Sequence, residues 1–129
     1  MVTAHPVESI SAVTLAVANM SASCSWYASL GFSLRYGGPD ADFTSYRIGT
    51  SYLNLQRVAP RSPVRGWGRV IFYVDDVDAM HQRAVTAGYR PVTEPADAPW
   101  GERYFHLRDP DGHELSFARP LAGPDQLPA

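Results

Sequence analysis

Residues able to exchange protons or fix a polar ligand concentrate in the second half of the chain: Arg69, Tyr73, Tyr104, His106, Glu114 and Ser116. Each falls on an alternate position of a short segment whose other positions are apolar. An imidazole, a carboxylate, a hydroxyl and a permanent guanidinium in one place support metal-free acid–base chemistry. With the phenols, they equally form a hydrogen-bonding surface for a ligand. Tyr52, Asn54 and Gln56 alternate in the same way in the first half, and Phe43 adds an aromatic ring. Trp100 stands in a loop between Ala98-Pro99 and Gly101, with no helix or strand of its own to pack on. Several aromatics, amides and one fixed cation suit a planar small molecule that is partly anionic or hydrogen-bonding. The structural reading of the same residues is a satisfied polar interface, with Arg69 and Glu114 as an ion pair and Trp100 as a loop anchor.

Other chemistry is excluded by what is missing. All eleven cations are Arg, so the sequence offers no Schiff-base lysine, P-loop or lysine base. Cys24 is the single thiol, so it has no disulfide partner, and it falls on an apolar helix face. Of the four histidines, His5 lies in the N-terminal arm, His81 mid-helix and His113 after a turn. His106 alone faces the cleft, and one histidine is no metal site. The net charge of −2 carries no basic footprint for nucleic acid. Residues 1–9 lack a signal-peptide pattern, and no apolar run is long enough for a membrane helix. A cytoplasmic protein is the expectation.

These side chains need strands to position them, and the sequence supplies them twice. Val13, Leu15 and Val17 alternate with small residues, which predicts a strand. Asn19 or Ser21 then caps a helix that ends at Gly31. Val70, Phe72 and Val74 alternate likewise, and Asp76 caps a helix that ends at Gly88. One offset separates Val17 from Val74, Met20 from Val77, Gly31 from Gly88 and Phe32 from Tyr89. Two copies of one unit follow. Strands are predicted over Phe32–Tyr36, Phe43–Ile48 and Ser51–Arg57 in the first copy. Those in the second cover Tyr89–Thr93, Tyr104–Arg108 and His113–Arg119, with a loop over Glu94–Gly101. The reading is a single α+β domain of 129 residues, made of βαβββ modules at 10–57 and 69–119. A linker covers 58–68 and a tail 120–129. Four strands and one helix bury one sheet face, so the other faces should curl around a shared cleft.

The residues also carry a family likeness. Ser23-Cys24-Ser25-Trp26-Tyr27-Ala28-Ser29-Leu30-Gly31-Phe32, Val74-Asp75-Asp76-Val77-Asp78, Pro99-Trp100-Gly101-Glu102-Arg103-Tyr104-Phe105 and Arg108-Asp109-Pro110-Asp111-Gly112-His113 resemble the vicinal oxygen chelate superfamily. That group includes glyoxalase I, extradiol dioxygenases and bleomycin-resistance proteins, and the last branch is the most similar. Enzymes of the family hold a divalent metal on four inward positions, which fall here on Ala12, Asn54, Arg69 and Ser116. The resemblance therefore implies no metal and no cofactor. It implies a binder that sequesters a planar aromatic antibiotic or metabolite, with Trp100 at the cleft mouth. Its ligand-binding set is Trp100, Arg69, Tyr52, Asn54, Tyr73, Tyr104, His106, Ser116 and Phe43. The competing expectation is a glyoxalase- or dioxygenase-type enzyme with substituted ligands. Family members usually pair with two-fold symmetry, which implies a homodimer.

Overall fold

The computed structural model describes residues 6–121; His5 and residues 122–129 of the expected tail lie outside the described residues. The first module runs β1 (Ala12–Val17), α1 (Met20–Ser29), β2 (Ser33–Tyr36), β3 (Phe43–Ile48) and β4 (Ser51–Arg57). The second runs β5 (Arg69–Tyr73), α2 (Val77–Thr86), β6 (Ala96–Asp97), β7 (Glu102–Arg108) and β8 (Glu114–Pro120). Each forms a four-stranded sheet, in the orders β1-β4-β3-β2 and β5-β8-β7-β6. The β1–β4 and β5–β8 pairs are parallel, and the remaining neighbours are antiparallel. The fold is the expected α+β pair of βαβββ modules.

Local chemistry sets the helices in both copies. The Asn19 side chain accepts from Ala22 N at 3.0 Å, and Asp76 accepts from Ala79 N at 3.0 Å, so each helix opens on a satisfied cap. Gly31 and Gly88 follow the two helices at φ +92° and +95°. The alternating apolar positions bury as one cluster. Leu15, Val17, Tyr46, Leu53 and Leu55 come from the first sheet, and Phe105, Leu107, Leu115 and Phe117 from the second. Each such side chain stabilises the fold by about 1.5–3 kcal/mol.

The Asp109-Pro110-Asp111-Gly112-His113 turn between β7 and β8 does more than reverse the chain, because it grips the first module. Tyr27 Oη donates to the buried Asp109 carboxylate at 2.7 Å. Asp111 accepts from Ala18 N at 2.8 Å and from Ser23 Oγ at 3.4 Å. His113 donates from Nε2 to the Ala16 carbonyl at 2.8 Å and accepts at Nδ1 from Trp67 Nε1 at 2.9 Å. Carbonyls only accept and indole nitrogens only donate, so these partners fix the tautomer. Burial pushes the Asp109 carboxyl up, and the donors from Tyr27 and His113 oppose that push.

One element differs from expectation. Tyr89–Thr93 is not a strand, and the edge strand β6 forms instead at Ala96–Asp97 within the expected loop. Pro91 has no N–H to donate to a ladder. Next to it, Val92 N bonds the His106 carbonyl, but His106 N bonds the Thr93 hydroxyl rather than a backbone carbonyl. A side chain takes the ladder's place there.

Candidate functional site

Strand alternation turns Arg69, Ile71 and Tyr73 of β5 to the open face of the second sheet. Glu114 and Ser116 of β8 and Tyr104 and His106 of β7 join them. Register then brings Arg69 beside Glu114, and His106 beside Ser116. The pairs are connected. Arg69 Nε and Nη2 both donate to Glu114 Oε2, at 2.9 and 2.7 Å. Arg69 Nη1 lies 3.4 Å from His106 Nε2, and His106 Nδ1 lies 2.6 Å from Ser116 Oγ. A guanidinium only donates, so Nε2 accepts, Nδ1–H donates to Ser116, and the serine proton is left for a pocket ligand. Partial burial lowers the His106 pKa, the Arg69 charge lowers it further, and Glu114 pulls the other way. The net direction favours the neutral imidazole.

An aromatic wall stands beside this network. Trp100 stacks on Tyr104 with ring centroids 6.0 Å apart and planes 24° apart, while the indole stays 55% exposed. Glu102 holds it in place: Trp100 Nε1 donates to Oε1 at 2.9 Å, and the Tyr73 hydroxyl donates to Oε2. That bond to a carboxylate raises the Tyr73 pKa. The sequence reading did not single out Glu102. Its signal was its place two residues beyond Trp100, on the same face as Tyr104 and His106. Trp100, Glu102, Tyr104, His106, Ser116 and Arg69 line one cavity of about 140 Å³.

The nine expected site residues thus separate into two groups. Trp100, Arg69, Tyr104, His106 and Ser116 share the cavity just described, and Tyr73 joins it through Glu102. Tyr52, Asn54 and Phe43 lie on the first sheet instead. Asn54 Nδ2 donates to Thr14 Oγ1 at 3.4 Å, and Phe43 packs 6.5 Å from Tyr36. The Tyr52 ring carries two guanidiniums, Arg35 at 4.7 Å and Arg47 at 5.2 Å. The groups meet at a second cavity of about 380 Å³ between the modules, which Tyr52, Leu53, Trp67, Arg69 and Ile71 line. Arg69 and Ile71 border both cavities, so the surface from Trp100 to Tyr52 is continuous. Trp67 spends its N–H on His113 and offers only its ring.

The donors present do not fit the divalent metal of the family's enzymes. Ala12 has no donor atom, and Arg69 has no lone pair and adds positive charge. Asn54 and Ser116 offer only neutral oxygens, and the Ser116 oxygen already accepts from His106. Among the described residues no three His, Cys, Asp or Glu side chains converge in metal-binding geometry. Cys24 is buried and 7% exposed, a packing residue. No helix among the described residues is long and apolar enough to cross a membrane.

Comparison with known proteins agrees with this architecture. The uncharacterized protein Rv0887c of Mycobacterium tuberculosis is 48% identical over 48 residues, which cover 37% of this chain and 28% of that protein. The match thus spans under a third of that relative's length. The crystal structure of TioX from Micromonospora sp. ML1 superposes with a TM-score of 0.71 at 28% identity, covering 88% of this chain and all of that one. The bleomycin resistance determinant encoded on transposon Tn5 superposes with a TM-score of 0.73 at 19% identity, covering 89% and 100% of the two chains. At that identity the likeness concerns the fold alone. The sequence pattern of one family matches residues 9–117, and with the paired βαβββ modules it places this chain in the glyoxalase/bleomycin resistance protein/dioxygenase superfamily.

Proposed function

We propose that the chain is a metal-independent binding protein that sequesters a planar aromatic small molecule, such as an antibiotic or metabolite, in the cytoplasm. The observation that carries this reading is the Trp100–Tyr104 stack. Its exposed face adjoins a pocket where Arg69, paired with Glu114, stands at one of the four positions that carry metal ligands in the family's enzymes. An exposed indole next to donors such as the Ser116 hydroxyl offers a flat ring both a stacking face and a hydrogen bond.

The test pairs fluorescence titration with elemental analysis. A panel of aromatic antibiotics should quench or shift tryptophan emission, and the melting temperature should rise, since ligand at a hundred times its Kd stabilises by about 2.7 kcal/mol. Protein purified without added metal should carry no stoichiometric nickel, iron, manganese or zinc. Stoichiometric metal lost in Asn54→Ala or Ser116→Ala would overturn the reading in favour of a glyoxalase- or dioxygenase-type enzyme. The assembly we propose is a two-fold homodimer in which the linker over residues 58–68 lets both subunits border each cleft. Light scattering that gave a monomer with ligand binding intact would reject it.

A further inference from the structure

Arg69 was the cation that the sequence placed in the cleft, yet its fork is spent on Glu114 and His106. Arg57 and Arg103 are likewise engaged, by Asp42 and by Asp78 with Asp97. Arg35 and Arg47 differ. Both are exposed, and neither has an acidic partner among the described residues. Both converge on the single ring of Tyr52. A guanidinium over an aromatic face uses its π surface and leaves its in-plane N–H donors free for a carboxylate or phosphate. Two such forks held beside one ring bring two sets of charge-assisted donors to one place on the surface. Tyr52 borders the cavity that continues to Trp100, and Arg47 borders a further inter-module cavity of about 200 Å³ with Tyr73.

We infer that Arg35 and Arg47, seated on Tyr52, form the anion-reading end of the ligand surface and take an oxyanion carried by the aromatic compound, a carboxylate or a phosphate ester. The inference rests on the proposed function for the ring on Trp100, but not for the anion itself. Sequence alone missed it because Arg35 and Arg47 lie far from Tyr104 and His106 in the chain, and nothing in their spacing marks them as unpaired.

The experiment compares naphthoate, naphthyl phosphate and neutral naphthamide by fluorescence titration, in the wild type and in the Arg35→Gln/Arg47→Gln double variant. At least one anion should bind about tenfold or more tightly than the amide, as expected for charge-assisted hydrogen bonds. The advantage should shrink as salt rises, because both arginines face solvent. In the double variant it should vanish while naphthamide affinity stays the same. Whichever anion gains more identifies the handle. In a parallel arm, inorganic phosphate should shift the Nε–H resonances of Arg35 and Arg47 but not that of Asp-paired Arg57. This arm uses the wild type and does not depend on the variant's folding. Equal binding of charged and neutral probes would overturn the inference and leave the aromatic-binding reading standing. Phosphate shifts without naphthyl binding would support the anion site and reject the stacking reading. Silence in both arms would reject both.

Discussion

The two sheets share one buried face and differ on the other. Leu53 and Leu55 do in the first what Leu115 and Phe117 do in the second, and all four are buried. The open faces have diverged. In the second module Arg69, Glu114, His106 and Ser116 satisfy one another beside a Trp100–Tyr104 stack. The first module offers small residues on β1 and two arginines on Tyr52 with no acid to answer them. The helices differ in parallel. Helix α1 buries Met20, Ser23, Cys24, Trp26 and Tyr27, whereas α2 buries only Val77 and Ala84. Gripped by the second module's hairpin, α1 lies between the modules, while α2 covers its own sheet and reaches α1 through Arg83, whose Nε donates to the Ser29 carbonyl at 2.9 Å. A duplicated unit keeps the pattern that packing enforces, and its solvent-facing positions are free to take up different chemistry.

Straining the turn that grips α1 should give the largest effect. Gly112 sits at φ +91°, and a β-carbon there would meet the Val64 carbonyl oxygen at 2.5 Å. Gly112→Ala should cost about 3 kcal/mol in urea unfolding. The hairpin turn of the first module touches nothing at Gly49, where φ is +57°, so Gly49→Ala should cost only about 1 kcal/mol. Equal losses would mean that the linker packed on the second turn does not constrain it.

Next in size is the aromatic wall. Trp100→Ala should weaken a flat ligand at least about tenfold, roughly 1.4 kcal/mol, with Trp100→Phe losing less. Melting curves should show a loss of only about 1 kcal/mol, since the ring is half exposed. A large stability loss with unchanged affinity would make Trp100 a loop anchor. Glu102→Gln should act more mildly. The neutral amide still accepts from one partner but holds Trp100 and Tyr73 less firmly, so affinity should fall about two- to fivefold. Tyr73 should then titrate closer to its ordinary value in a spectrophotometric pH series, because the carboxylate that raises it is gone.

The smallest effects concern protonation of His106 and sharpen the contrast in charge. Its folded pKa lies below the ordinary histidine value, so the unfolded chain binds the proton more tightly. Its contribution to stability is present above about pH 6.5 and declines as pH falls from there toward the folded value. In an NMR titration Arg69→Gln should raise the His106 pKa, by removing the cation. Glu114→Gln should lower it further. Shifts of the opposite sign would place His106 outside the Arg69–Glu114 pair.

Much of this was legible in the sequence. Local rules determine the repeat, both capped helices, seven of the strands to within a few residues and the inward or outward sense of each side chain, because alternation, caps and terminal glycines act over short stretches of chain. They also put His106, Ser116, Glu114 and Arg69 on one face, a consequence of period two in neighbouring strands. Tyr89–Thr93 misled because Pro91 and the Thr93 hydroxyl interrupt the ladder, a competition that alternation does not register. What only the tertiary structure decided is which charges find partners. Glu114 answers Arg69 across the β5–β8 register, Glu102 reaches back to Trp100 and Tyr73, and Arg35 and Arg47 are left on Tyr52 without an acid. Ion pairing depends on a few ångströms between strands distant in sequence, so it is fixed only when the sheets assemble.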